Sequence, residues 1–443
     1  MRYAPRRLLS IGLAMWSVAA ALTVGCKPSQ DRSDRAPSTD LVPDQTLVRY
    51  RYPTTRDAAA QVSSIIKQLE ERTGTPVASP EDLGELADLY VRRALLAGDV
   101  EDYRRAEDMA NRSLALRASA NGASVVLAKV ASARHEFRKA IEIAREAARI
   151  RSTAGAHDLI ATAFLALGDL EEASAAAEVA VTLNATPTSF LTRALVLQAQ
   201  GRDAEAAFDF TQAVKVETHG DPEQAARIRA LWGRFLLRRG ELDGAALVIG
   251  EALRVMPGEP FSLAQAAELA LRSGKFAEAR ASFEQAFASS RQVRYLIDLA
   301  RAQELSRDLP GATRSRDQVV QLVRRDLADN GVGHQLDLVE VLLDRGTSAD
   351  VPEAVKLATQ EVERRPSAET RFQLARALWH SGARADAASQ IHSVLASGAR
   401  DARYYELASR IDGGLRGAMY SREAAKLDPR NVGWRSLGLG AAK

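Results

Sequence analysis

The chain has 443 residues, with 60 Lys and Arg against 57 Asp and Glu, one cysteine and 46% hydrophobic residues. A single cysteine excludes a disulfide framework, so stability must come from packing. The small basic excess belongs to the first 25 residues, which hold Arg2, Arg6 and Arg7 and no acidic group; without them the count is 57 against 57. A neutral body gives no footing for nucleic acid or another polyanion, and no nucleic-acid partner is expected.

In chain order, the three arginines precede a nearly all-apolar run from Leu8 to Val24 that ends at Gly25-Cys26. Residues 1–25 therefore read as a targeting segment and stand outside the fold. A lone cysteine directly after such a run resembles the bacterial lipoprotein signal, although Thr23 occupies the usual leucine position. That resemblance implies cleavage before Cys26 and lipidation of its thiol. Cleavage after Ala19-Ala20-Ala21, or retention as a short anchor, are the alternatives. Lys27 in place of aspartate implies onward transfer to the outer membrane where the host follows the enteric sorting pattern. The expected location is the bacterial cell envelope.

Residues 26–56, rich in Pro, Ser, Asp and Arg, read as a flexible tether. From Asp57 onward Ala60, Val62, Ile65, Ile66 and Leu69 have helical spacing. Helices over 57–72 and 81–97 are expected to cap the N-terminal end. We bound that cap at 57–86 and the array behind it at 87–443.

Beyond the cap, Ala106, Ala140, Ala173 and Ala206 recur at steps of 34, 33 and 33 residues. After a 39-residue step, Ala245, Ala279 and Ala312 continue the series. A fixed period of this size predicts a repeat array whose units cover one another's apolar faces. Around each alanine a phrase returns, such as Gly168-Asp169-Leu170-Glu171-Glu172-Ala173 and Gly274-Lys275-Phe276-Ala277-Glu278-Ala279. The glycine closes one amphipathic run and the alanine sits in the next, so each unit is helix, turn, helix. Further units centre on Ala354, Ala387 and Ala418, about ten in all. Insertions are expected near 218–222, 329–333 and 347–350, and Arg307 stands where a turn glycine belongs.

Trp232, Gly233, Leu236, Gly240, Ala245, Ala252 and Pro257 resemble the signature of the tetratricopeptide repeat (TPR). Asp428-Pro429 followed by Trp434, Leu437 and Gly438 is similar to the junction into another unit and reads as a C-terminal capping helix. The resemblance implies an all-α fold, a right-handed α-solenoid of about ten TPR-like repeats. It also implies that first helices line a concave face, with polar residues one and five positions after their small residue pointing inward. Those places hold Lys129, Arg234, Arg238, Glu268, Arg272, Arg301 and Arg376, with Trp379 and His380 nearby. The central stretch of this groove is expected to be basic and to suit a carboxylate or acidic peptide. The family's carboxylate clamp of paired asparagines and lysines is absent.

Chemistry is sparse. No two of the six histidines have the i, i+4 spacing of a helical metal site, and Gly331-Val332-Gly333 lacks the Lys-Ser or Lys-Thr of a phosphate loop. Acidic pairs such as Glu171 and Glu172 fall in first turns of helices, where they favour the helix dipole. The expectation is no enzyme and no cofactor or metal. It is instead an adaptor that binds a protein or peptide partner on its concave face in an envelope assembly. The alternative is an accessory subunit that positions a catalytic partner.

Overall fold

A hairpin of two helices buries its facing sides only where small residues let the axes approach, and the period-33 alanines supply that condition. The computed structural model describes residues 41–428, apart from 42, 55–57, 76–77, 100, 119–121, 219–220 and 329–333. The targeting run, Cys26 and the expected C-terminal cap beyond Asp428 lie outside the described residues, as do most of the insertions at 218–222 and 329–333.

A short helix α1 (Gln45–Val48) and a capping helix α2 (Ala58–Thr73) precede ten hairpins. The first four pair α3 (Pro80–Ala97) with α4 (Glu101–Leu116), α5 (Gly122–Ala133) with α6 (Phe137–Ile150), α7 (Ala154–Leu167) with α8 (Leu170–Leu183), and α9 (Pro187–Ala199) with α10 (Asp203–Lys215). Next come α11 (Pro222–Leu237) with α12 (Leu242–Val255), α13 (Pro260–Arg272) with α14 (Phe276–Ser290), and α15 (Val293–Leu305) with α16 (Leu309–Ala328). The last are α17 (Gln335–Asp344) with α18 (Val351–Arg364), α19 (Ala368–Ser381) with α20 (Arg384–Ala396), and α21 (Ala402–Asp412) with α22 (Gly414–Leu427). The described fold is an all-α repeat solenoid.

Ala106, Ala140, Ala173, Ala206, Ala245, Ala279, Ala312, Ala354 and Ala387 are all fully buried. The last unit departs from the expected register. Ala418 is exposed and Gly417 is buried in its place, where a Cβ would meet the Ser409 carbonyl oxygen at 2.6 Å. The N-terminal boundary also shifts: α3, expected as part of the cap, is the first helix of the first hairpin, and α2 alone caps the array.

The described end of the expected tether is packed rather than free. Val48 and Tyr50 are buried against α10, α11 and α12. Arg229 donates to the Val48 carbonyl at 2.6 Å, and the Tyr50 amide donates to Glu251 Oε1 at 2.6 Å. Alternating apolar side chains over so few residues gave too short a period to read.

Turn glycines end first helices in the left-handed region, Gly168 at φ 85° and Gly201 at φ 73°. His135 at φ 60° and Arg307 at φ 64° take the same position without glycine. These turns do more than reverse the chain, because the superhelix is wound tightly enough for one turn to touch the next. A Cβ at Gly98 would lie 1.9 Å from the Ser290 carbonyl oxygen, one at Gly168 would lie 2.7 Å from Ser367 Cα, and one at Gly201 would lie 2.6 Å from the Gly398 carbonyl oxygen. Ion pairs seal the same seam: Arg92 with Glu223 at 3.0 Å, and Asp203 with both Arg239 at 2.7 Å and Arg400 at 2.8 Å.

His135 lies in this seam, in the electrostatic reach of Arg364, Arg365, His334 and Glu361. Burial and the two arginines pull its pKa down to about 4. The unfolded chain then binds the extra proton between about pH 6.5 and 4, so stability falls as pH falls through that window. Buried Asp158, pushed up to about 6, acts in the opposite sense and gains on acidification. His135→Asn, which tolerates the left-handed backbone, is expected to lose less in melting temperature than wild type between pH 7 and pH 5. Equal losses would mean that the imidazole carries no such linkage.

Candidate ligand chamber

The seam turns the concave groove into an axial chamber. First helices α11, α13, α15, α17, α19 and α21 all contribute to its wall, and its volume is about 530 Å³. The ring is closed where the tenth hairpin returns to the fifth and sixth: Arg238 Nε lies 3.8 Å from Asp401, and Arg272 Nη1 lies 3.5 Å from Asp428.

Of the residues expected on the inner face, Arg234, Arg238, Glu268, Arg272, Arg301 and Arg376 line this chamber. Lys129 does not. It pairs with Asp88 at 2.6 Å in a separate groove between α3, α5 and α7. Trp379 and His380 are also absent from the wall. Trp379 packs into the α19–α21 core with the Arg384 guanidinium 4.3 Å from its ring centroid.

The expected basic character is not found. Seven arginines in the wall face seven carboxylates: Glu268, Asp298, Glu340, Asp344, Glu369, Asp401 and Asp428. Glu268 receives Arg272 at 2.7 Å and also pairs with Arg301, and burial is outweighed by these two charges, which hold its pKa down to about 2. Arg294 bridges Asp298 at 2.9 Å and Glu340 at 2.6 Å, and Glu340 is likewise held down to about 2. Arg403 pairs with Glu369 at 3.0 Å and Asp401 at 3.1 Å, while Arg376 pairs with Asp344. Burial raises the pKa of Asp344 despite that partner. The carboxylates come mostly from α15, α17, α19 and α21, whose contribution the small-residue rule missed. In α17 the equivalent position is Val339, yet Glu340 and Asp344 follow it at the inward spacing. Extending each stripe back by three and seven residues would have found Asp298 and Arg294 from Arg301, and Gln373 and Glu369 from Arg376.

Tyr295, Tyr404, Phe261, Gln265, Gln292 and Gln373 also line the chamber, with Leu237, Ala264 and Ala402. The described wall holds no serine, cysteine, histidine or lysine, and among the described residues no cluster of three or more His, Cys, Asp or Glu is placed to hold a metal ion. Chemically, the chamber is a polar surface of balanced charge, pre-paired except at Arg234.

Comparison with known proteins agrees on the fold. No family model matches the chain, and no curated protein matches its sequence. Among solved structures it is similar to the APC/C hetero-tetramer Cut9-Hcn1, with a TM-score of 0.50 at 11% identity over 86% of this chain. The match spans 61% of that chain. Two others are a tetratricopeptide repeat protein from Parabacteroides merdae and the type IV pilus biogenesis factor PilW, both at 16% identity. Their TM-scores are 0.37 and 0.38, over 53% and 44% of this chain and 91% and 90% of theirs. The neighbours are TPR-type helical repeat proteins.

Glu268 is the carboxylate shared by two half-buried guanidinium groups, so Glu268→Ala leaves both without it and is expected to cost about 3 kcal/mol of stability. Chemical denaturation measures this. A loss under about 0.5 kcal/mol would show that the pairs in the wall are solvated and interchangeable.

Proposed function

We propose that this chain is a non-catalytic adaptor of a bacterial envelope assembly that holds a protein or peptide partner in its axial chamber. In this reading a lipid on Cys26 ties it to the membrane, and the tether raises its local concentration there. The observation that carries the reading is the wall itself. Its carboxylates and all but one of its arginines are tied to one another across six hairpins, which gives a rigid polar surface for recognition rather than a free acid, base or nucleophile. The TPR-type fold supports it, since stacked helical repeats build extended binding surfaces.

Mild crosslinking of native envelopes tests the proposal. Wild type is expected to retain a stoichiometric partner in the membrane fraction. Gln292→Trp, which adds bulk at an exposed position of the chamber wall, should reduce recovery of that partner at least tenfold. Cys26→Ser should move the protein to the soluble fraction. A partner recovered equally with Gln292→Trp would place the contact elsewhere on the array, and Cys26→Ser remaining in membranes would favour an uncleaved anchor.

A further inference from the structure

Among the described residues, six of the seven arginines in the chamber wall have a carboxylate within 4 Å and Arg234 has none. Its Nε is buried without a hydrogen-bond partner among the described residues. The nearest strong contact is the face of Phe261, whose centroid is 5.6 Å from the guanidinium carbon. Arg227, two helical turns earlier on α11, reaches the same ring at 4.6 Å. Two turns of helix separate the two residues by about 10 Å, so Phe261 lies between them and the edge of Arg234 is left to the chamber.

The surroundings of that edge are one-sided. Arg238 follows four residues later, and among the described residues its ion pair is the long contact to Asp401. The Tyr295 hydroxyl, also in the wall, donates to no protein acceptor among the described residues; Glu259, Arg227, Asp298 and Arg234, in decreasing order, lie in its electrostatic reach. Burial, Arg238 and Arg227 together pull the pKa of Arg234 down to about 9, the opposite of the direction found for Arg272, Arg294 and Arg403. A guanidinium keeps its proton at neutral pH, so the site holds a positive charge with donors unused. A helix-borne cation, a phenol and an apolar shelf thus line one otherwise neutral cavity.

We propose that Arg234 and Tyr295, on the Phe261 shelf, form an anion subsite that accepts one carboxylate of the bound ligand. This deepens the adaptor reading by naming the group a partner segment must present. The seven wall carboxylates oppose a more highly charged ligand, and the planar carboxylate matches the guanidinium fork. A single charge-assisted contact of this kind changes affinity by about ten- to a hundredfold.

The test uses the full chain and a small probe. Sodium acetate, titrated at constant ionic strength, is expected to raise the melting temperature of wild type by about 2 °C with saturation in the tens of millimolar. Acetamide should have no effect, and inorganic phosphate a smaller one. Arg234→Met keeps an apolar contact on Phe261 while removing the charge. It should melt no lower than wild type and lose the acetate response, whereas Arg384→Met, outside the chamber, should keep that response. An acetate response retained in Arg234→Met, or a larger response to phosphate than to acetate, overturns the assignment. No acetate response in wild type does the same. If Arg234→Met itself melts several degrees lower, the arginine is structural and the subsite is rejected. In the envelope crosslinking, a partner held equally by Arg234→Met overturns the carboxylate contact and leaves the adaptor intact. Absence of any partner with a normal acetate titration defeats the adaptor reading alone.

Discussion

Backbone meets backbone between successive turns of the superhelix, and the rest of the architecture depends on that contact. A side chain at Gly98, Gly168 or Gly201 would occupy space already filled by Ser290, Ser367 or Gly398. The same glycines serve the local fold by accepting positive φ. One residue type thus satisfies two constraints: reversal of the hairpin and close approach of the next turn. Without that approach the first helices would line an open groove. With it, they enclose a chamber whose two ends of chain, near Arg238 and Asp401, are held side by side.

The electrostatics of the inner face are set mainly along the array. Arginines and carboxylates on the same first helix, or on adjacent first helices, come near enough to neutralise each other, and the cost of removing each charge from water is offset by its partners; closure adds the contacts of Arg238 with Asp401 and Arg272 with Asp428. Glu268 between Arg272 and Arg301, and Arg294 between Asp298 and Glu340, are the clearest cases. Arg234 departs from this pattern because Phe261 occupies the place a carboxylate fills elsewhere.

Much of the fold was legible in the residues. The alanine period located nine of the ten hairpins in register, because small residues at a tight helix crossing are a local requirement that each unit must meet. The tenth was misplaced by one residue, since Gly417 and Ala418 are both small and adjacent. Six of the chamber arginines and glutamates were identified from their offset to the small residue. What could not be read was nonlocal. Superhelical pitch follows from many small packing angles, and only the pitch decides that Asp401 lies beside Arg238 or that Val48 and Tyr50 fill a seam two hundred residues away. The sign of the groove was misjudged for a local reason: the inward stripes continue three and seven residues back, to carboxylates such as Asp298 and Glu369.

The claim with most resting on it is that residues nearly two hundred positions apart touch across the seam, as Asp203 and Arg400 do. Chemical crosslinking measures this directly in a Cys26→Ser background carrying Asp203→Cys and Arg400→Cys. A short bismaleimide is expected to join the two thiols within one molecule rapidly and at dilute protein, giving a looped species of altered gel mobility. A pair with Arg400→Cys and Leu116→Cys, on an exposed helix end, serves as the control. If the seam pair reacts no faster than the control, the turns are not in contact and the chamber does not exist.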